Sequence, residues 1–570
     1  MKIAMAQVSP ETGDLKGNAG KIRDAVRRAR ERGCDLVVTP EAALTGSMSG
    51  DLLEVGSFVD ANLELLHDVI VPECRDVAAV VGFVDRADPS LSGEGLHNAA
   101  AVVQDGQIRA VAHKRNLCQE RYRDETRYFA PGRRTTFVDL DLDGGSIRTA
   151  LLIGEDLRGR NSRESGPLRD VEEAGPDLVV SIHATAYDTE TWAERLAFLR
   201  DRGERSSFPL VYVSAVGIGD NLKDIILFDG RSALVEGEGE VVALGPLFGD
   251  EVVVGELGED RRGRPLEVPR WKEEEELHAA LTHALREYSR QVGFSRVLVG
   301  VSGGVDSSLC AALAADAMGP ENVLALFLPS RHTQSESRDL AVSLCRNLGV
   351  ELLEMPIEPI HQAARKVLRR HATLDREVSD ENLQARTRGM LLMGVSNETG
   401  RLVLATGNKT ELGLGYCTLY GDMVGGLLLL GDVNKRQVYR LAEHLNRRAE
   451  GPLIPEATLR RKPTPELAPE QEDPFDYPVV APLVDDLVAR AAPRDILERF
   501  ERRELGAGYP GDVYERHDLD SFGTLVRDTY DRYQDAAFKR AQGSPTVVVS
   551  PRALGFDLRE TIISHWRPDW

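Results

Sequence analysis

The sequence predicts an α/β chain in two parts, a sheet sandwich over residues 1–265 and a doubly wound parallel sheet over 266–570. Three observations carry this. Apolar, β-branched runs such as KIAMAQV, DVAAVVGFV and DLVVSIH do not alternate with polar residues, the mark of strands buried on both faces. Charged stretches with a 3.6-residue apolar period separate them, the mark of helices. A polar, Pro-containing segment, EDRRGRPLEVPRW at 259–271, divides two regions of different pattern, and the boundary belongs there.

Taken in order, KIAMAQV is the first strand, a helix follows near Gly20 to Arg32, and CDLVVTPE, DVAAVVGFV, NAAAVVQDG, RTALLIGED, DLVVSIH and LVYVSAVG supply further strands. Turn signals at QDG (104–106), LDGG (142–145), FDG (228–230) and EGEGE (236–240) suit hairpins and edge connections. After the linker a helix runs from about Lys272 to Gly293, its opening Glu run complementing the helix dipole. SRVLVG, ENVLALFLPS, VELLEMPI and RLVLATGN then read as buried strands between helices, a doubly wound sheet. TPELAPEQEDPFDYP has the Pro and acidic content of a mobile loop, and the tail beyond about Ala481 reads as helices with an irregular C-terminus.

Composition excludes several classes of function. The 570 residues are 42% hydrophobic and 28% charged, which is globular and not disordered. Lys plus Arg number 70 against 92 Asp plus Glu, so 70 − 92 = −22, a balance that opposes nucleic acid and anionic membrane surfaces as partners. The start, MKIAMAQVSPETGDL, lacks a basic stretch followed by an apolar one, and no run reaches 18 apolar residues, so a soluble, cytoplasmic protein is expected. The six cysteines are scattered without a CxxC pair, which indicates neither a zinc site nor a disulfide framework.

The sharpest local signal is RVLVGVSGGVDSS. An apolar strand leads into Ser302, Gly303, Gly304, Val305, Asp306, Ser307 and Ser308, and an apolar helix follows. Glycines there admit an anion to backbone N–H groups, the helix N-terminus adds positive potential, and Asp306 suits magnesium held against phosphate oxygens. The loop is neither a Walker A loop, for no GK[ST] follows, nor a GxGxxG turn. A glycine-rich helix cap without a ligand is the plainer alternative.

SGGVDSS resembles the pyrophosphate loop of the ATP pyrophosphatase class. Further stretches, LPSRHTQSES at 328–337, ENLQARTRG at 381–389, ATGNKTELGLGYCTLYGDMVGG at 405–426 and DVNKRQVYRLA at 432–442, resemble the NAD synthetases in family order. The resemblance implies that nicotinic acid adenine dinucleotide is adenylated by ATP with magnesium and that ammonia then displaces AMP. By the same resemblance Ser302, Gly303, Gly304, Asp306 and Ser307 bind ATP and its pyrophosphate, with Thr406 and Arg388, and Asp306 and Glu411 hold metal. Lys409 and Lys435 supply positive charge around phosphates and the substrate carboxylate. Glu381, Asn382, Arg386, Asp432 and Lys435 face the dinucleotide, and Lys539 returns to the site from the C-terminal region. Taken singly, Arg386 and Arg388 also fit surface charges, TGN a simple strand-to-helix turn, and any lone lysine a solvated position.

Residues 1 to about 260 resemble the nitrilase-type amidases, which use a Glu, Lys, Cys triad and in the glutamine-dependent NAD synthetases hydrolyse glutamine. Glu41, at the end of DLVVTPE, and Lys114, in AHKRNLCQERYRDETRYFAPG, match two members. The family's Ile-Cys-Glu-Asp-Leu reads Ile153, Gly154, Glu155, Asp156, Leu157 here, so Gly154 stands at the nucleophile position. Without a thiol no thioester forms. Cys118, four residues past Lys114, could rescue the site only by facing Glu41, and His183 in SIHATAY fits a structural role. The expectation is therefore an NAD-forming ligase fed by free ammonia and assembled as a homo-oligomer. A paralogous ligase for another acid or amine is the second reading, and a non-catalytic subunit the third.

Overall fold

A computed structural model describes the chain except for residues 88–94, 120–121, 143–144, 159–165, 206–207, 259–261, 374–375, 470, 556–561 and 563–570. Two compact units form, one of Met1–Asn221 with Ile226–Trp271 and one of Leu222–Ile225 with Lys272–Trp570.

The first unit is built on two six-stranded mixed sheets. One runs in the order Glu251–Glu256, Lys2–Gln7, Leu36–Val38, Ala78–Arg86, Leu96–Gln104, Gln107–His113; the other runs Val241–Leu244, Ala233–Val235, Leu210–Ser214, Leu178–His183, Gly145–Ile153, Thr136–Leu142. Because these strands are apolar on both faces, each sheet buries two surfaces. Ile3, Met5, Leu36 and Val38 pack with Leu151, Ile153 and Leu178 in one core between the sheets. The outer face of the first sheet packs on Ile22, Ala25, Val26 and Ala29 of the helix Leu15–Glu31, and that of the second on Val171 and Leu199 of its own helices. The result is the expected α/β sandwich. Its first helix starts five residues before Gly20 because Asp14 caps it, accepting from the Gly17 N–H at 3.0 Å. The QDG turn closes a hairpin, with Asp105 and Gly106 both at positive φ (56° and 69°) as a tight hairpin turn requires. Of the LDGG turn, Asp143 and Gly144 lie outside the described residues.

The second unit holds six parallel strands in the spatial order Thr546–Val547, Leu427–Leu428, Leu402–Ala405, Val297–Gly300, Val323–Phe327, Glu351–Glu354. Numbered along the unit from Val297–Gly300, this is the 3-2-1-4-5-6 order of doubly wound sheets, with the helix Val305–Met318 packed on it and Glu273–Gln291 packed in turn on that helix. Asp224 and Ile225, which belong to this unit, pair with Thr546 and Val547. Two expectations are corrected. VELLEMPI is not buried: Glu351–Glu354 is the edge strand, covered on one side only, and its side chains are mostly exposed. The C-terminal region is not only helical, since Thr546 and Val547 return to the sheet.

The switch point of such a sheet lies where the order reverses, between Val297–Gly300 and Leu402–Ala405. Ligands bind in the crevice beyond the carboxyl ends of those strands. The SGGVDSS loop leaves the first strand there and Thr406 leaves the second.

Candidate functional site

A cavity of about 320 Å³ opens at this switch point, lined among others by Ser302, Gly304, Asp306, Ser307, Arg388, Thr406, Glu411 and Lys435. The loop is shaped by its own hydrogen bonds. Ser307 Oγ accepts from the Ser302 N–H (3.1 Å), Ser302 Oγ accepts from the Gly304 N–H (3.2 Å), and the two hydroxyls are 3.1 Å apart. Gly303 adopts φ +84°, and a Cβ there would stand 2.6 Å from the Ser337 carbonyl oxygen, so glycine is required twice over. Asp306 follows at the second position of the helix Val305–Met318.

Asp306 and Glu411 are joined through two shared partners. Asn408 caps the helix Lys409–Leu414 in a capping box with Glu411, whose Oε2 accepts from the Asn408 N–H at 3.2 Å, and Asn408 Nδ2 donates to Asp306 Oδ1 at 2.8 Å. Lys435 Nζ lies 2.5 Å from Asp306 Oδ2 and 3.2 Å from Glu411 Oε1, over the Tyr477 ring at 5.0 Å. Burial pushes the Glu411 carboxyl up to about 7 against the pull of Lys435. Burial opposes the Lys435 charge, and the two carboxylates more than restore it. Arg388 donates from Nε to the Leu328 carbonyl at 2.9 Å, and burial draws its guanidinium down to about 10, so it would gain from an arriving anion.

Other expected residues do not reach the cavity wall. Lys409 is buried, ion-paired to Asp432 (3.0 Å) and Asp485 (3.3 Å), and donates to Ser550 Oγ at 2.8 Å. Asp432 accepts from the Val549 and Ser550 N–H groups at 2.8 and 2.7 Å, so the pair anchors the C-terminal segment. Lys539 Nζ donates to the carbonyls of Gly415 (2.7 Å) and Cys417 (2.8 Å), just past the helix Lys409–Leu414. Glu381 accepts from Gln471 at 2.9 Å, Asn382 accepts from Thr418 at 2.8 Å, and Arg386 donates to the Leu419 carbonyl at 3.1 Å. Sequence reasoning missed Asn408, Tyr477 and Arg461. Asn408, three residues before Glu411, was legible as a capping pair. Arg461 gave no signal: it comes from a distant loop, where it binds Ser337 and Glu466, each at 2.6 Å. The TPELAPEQEDPFDYP loop is correspondingly tied down at Glu466 and Gln471.

In the first unit Glu41, Lys114 and Gly154 each follow the carboxyl end of a strand, and the fold brings them together. Glu41 Oε1 accepts from Lys114 Nζ (2.7 Å) and Asn98 Nδ2 (2.7 Å), and Oε2 from the Ala184 N–H (3.1 Å). Lys114 Nζ also meets Glu125 Oε1 at 2.7 Å, with its side chain fully buried. Burial pushes the Glu41 carboxyl up, but Lys114 and Arg123 outweigh it and hold it at about 2. Gly154 has φ +52°, and a Cβ on it would stand 2.6 Å from Lys114 Nζ and 3.0 Å from Glu41 Oε2. Asp156 fixes the neighbouring loop, accepting from the Arg115 and Asn116 N–H groups at 3.0 and 2.7 Å. Cys118 is half-buried, its N–H donating to Glu125 Oε2 at 2.7 Å; His183 is bonded to Ser181 Oγ at 2.7 Å and stacked on Tyr212. A left-handed backbone strains any non-glycine residue by about 1–2 kcal/mol. Gly154→Ala is therefore expected to lower stability by at least about that much, read as a fall in the thermal midpoint.

These features define a class, a carbon–nitrogen hydrolase-like unit joined to an ATP-dependent ligase unit. Residues 2–263 match the carbon-nitrogen hydrolase family and residues 277–541 the NAD synthase family. A glutamine-dependent NAD(+) synthetase from Synechocystis is 35% identical over 586 residues, covering 99% of each chain. One from Acinetobacter baylyi is 33% identical, covering 100% of this chain and 99% of its own. The solved structure of glutamine-dependent NAD+ synthetase from Acinetobacter baumannii in complex with ADP is 29% identical with a TM-score of 0.76, covering 100% of this chain and 99% of that one. The chain belongs to the glutamine-dependent NAD(+) synthetase family, whose members are ATP-dependent ligases that form a carbon–nitrogen bond. None of these likenesses favours a ligase for a different acid or a non-catalytic subunit. Among the described residues no helix is long and apolar enough to cross a membrane.

Proposed function

We propose that this protein converts nicotinic acid adenine dinucleotide to NAD with ATP and free ammonia, through an acyl-adenylate. The observation that carries the ammonia reading is Gly154. It lies beside the bonded Glu41–Lys114 pair, at the position we read from the sequence motif as the nucleophile's, and the Lys114 ammonium stands 2.6 Å from where a Cβ on it would begin. Glu41 has nothing to activate, and no thioester can hold a glutamyl group. The relatives are named for glutamine dependence; a glycine at the nucleophile position would set this chain apart from that chemistry.

In the second unit the nicotinate carboxylate attacks the α-phosphorus of ATP, the bond to the β-phosphate oxygen breaks, and pyrophosphate leaves. Ammonia then adds to the acyl carbon, the bond to AMP breaks, and a proton is lost. The barrier is one of anion meeting anion, so the residues act by charge and position. Ser302, Gly303, Gly304 and Ser307 receive the pyrophosphate, and Thr406 and Arg388 receive the rest of ATP. The fit for magnesium rests on chemistry: Asp306 and Glu411 offer hard oxygen donors within reach of one ammonium. When bound, magnesium would neutralise charge developing on the phosphates. Lys435 serves the reacting carboxylate, while Lys409, Asp432 and Lys539 fix the segments that carry the site. Glu381, Asn382 and Arg386 act through the segments they hold, at Gln471, Thr418 and Leu419, on the side we assign to the dinucleotide. We place the division of labour at residues 1–265 and 266–570, the first unit being retained without glutaminase activity, and read the protein as a cytoplasmic homo-oligomer.

The test is NAD and AMP formation by the purified protein with ammonium or glutamine as the sole nitrogen donor. NAD from ammonium and none from glutamine is expected; equal rates from both would overturn the reading.

A further inference from the structure

Lys435 is an unusual residue at its position. It opens the helix Lys435–Arg448, where the helix dipole disfavours a cation, and it is 2% exposed. Both costs are met by the two carboxylates it touches, Asp306 at 2.5 Å and Glu411 at 3.2 Å. Those are the oxygens assigned above to the divalent cation. An ammonium and a hard dication cannot share the same oxygens at bonding distance, because a cation coordinated at 2.0–2.6 Å would stand against the Nζ. Its ammonium also lies over the Tyr477 ring at 5.0 Å, and its backbone N–H donates to Thr410 Oγ1 at 3.1 Å, which leaves the side-chain stem to turn.

We infer that Lys435 is a resident placeholder for the metal: its ammonium holds Asp306 and Glu411 together until a divalent cation takes them, and is then released into the cavity. This rests on the metal reading given above. Three consequences follow from the geometry. The two carboxylates do not repel each other apart before the metal arrives, so the site is preorganised. Metal binding without nucleotide is weak, because the cation must compete with an internal charge already in place. The positive charge needed beside the reacting carboxylate is set free only when the metal is loaded, which ties activation of the acid to a charged ATP site. Asn408, bonded to both carboxylates, keeps them paired during the exchange.

The test is a Mn2+ titration followed by electron paramagnetic resonance, with and without ATP, on the intact protein and on Lys435→Met and Lys435→Arg, each checked by circular dichroism for native fold. Removing a charge a few ångströms from the metal should tighten nucleotide-free Mn2+ binding by about tenfold or more in Lys435→Met, while Lys435→Arg, which keeps the charge, stays at or below the unaltered affinity. Equal or weaker binding by Lys435→Met, with Mn2+ still bound in the presence of ATP, overturns the placeholder role alone. Failure of the unaltered protein to bind Mn2+ even with ATP overturns the metal reading and the placeholder with it. Should Lys435→Met not fold, Lys435→Gln replaces it under the same criteria.

Discussion

Asp306→Asn is expected to lower the rate of NAD and AMP formation by about 100- to 1,000-fold at saturating ammonium, the range for losing one preorganised electrostatic contact. The substitution keeps the shape and removes the charge. On the function proposed above it replaces an anionic metal ligand by a neutral amide, and it leaves Lys435, a buried ammonium, with Glu411 as its remaining contact among the ion pairs described. Because Asp306 also accepts from Asn408, the loss spreads to the capping box that positions Glu411. Steady-state assays of both products check it, with AMP and NAD falling together; a loss under tenfold would mean that the carboxylate is not at the reacting phosphates.

Lys114→Ala is expected to act on stability. The ammonium is fully buried between Glu41 and Glu125, and breaking one partner out of such a cluster leaves uncompensated charge, worth about 3–5 kcal/mol. A large drop in the thermal midpoint of the first unit is the expected result. Replacing Glu41, Lys114 and Glu125 together by apolar residues of similar volume should recover much of it. The same network sets an acid limit. Glu41 titrates at about 2 when folded against an ordinary value of 4.5. Its contribution is therefore fully present above pH 4.5 and is lost as pH falls from there toward 2. Acid unfolding of the unaltered protein followed by circular dichroism should show this, and a Glu41→Gln variant should lack that share of the pH dependence.

The strands were legible because their apolar runs were unbroken, and the phosphate loop because glycines, hydroxyls and an acid stood together after one strand. Gly154 was legible as a glycine closing a buried strand, though its meeting with Lys114 depends on strands far apart in the chain. What escaped was set by position in the sheet or by long-range contact. VELLEMPI has the composition of a buried strand but lies at an edge, where no neighbour covers its outer side. Lys409 and Asp432 have the chemistry of a substrate site, yet the return of Thr546 and Val547 to the sheet brings Ser550 onto them and turns them into an anchor. Arg461 reaches the cavity on a loop whose sequence says nothing of where it folds.

The proposed function turns on where the amide nitrogen comes from. The most direct measurement supplies the protein with glutamine labelled with 15N at the amide, together with unlabelled ammonium, ATP, magnesium and nicotinic acid adenine dinucleotide, and reads the isotopic mass of the NAD formed. NAD carrying unlabelled nitrogen alone is the expected result; 15N in the carboxamide would show that glutamine is still being opened and that the nitrogen source is not free ammonia alone.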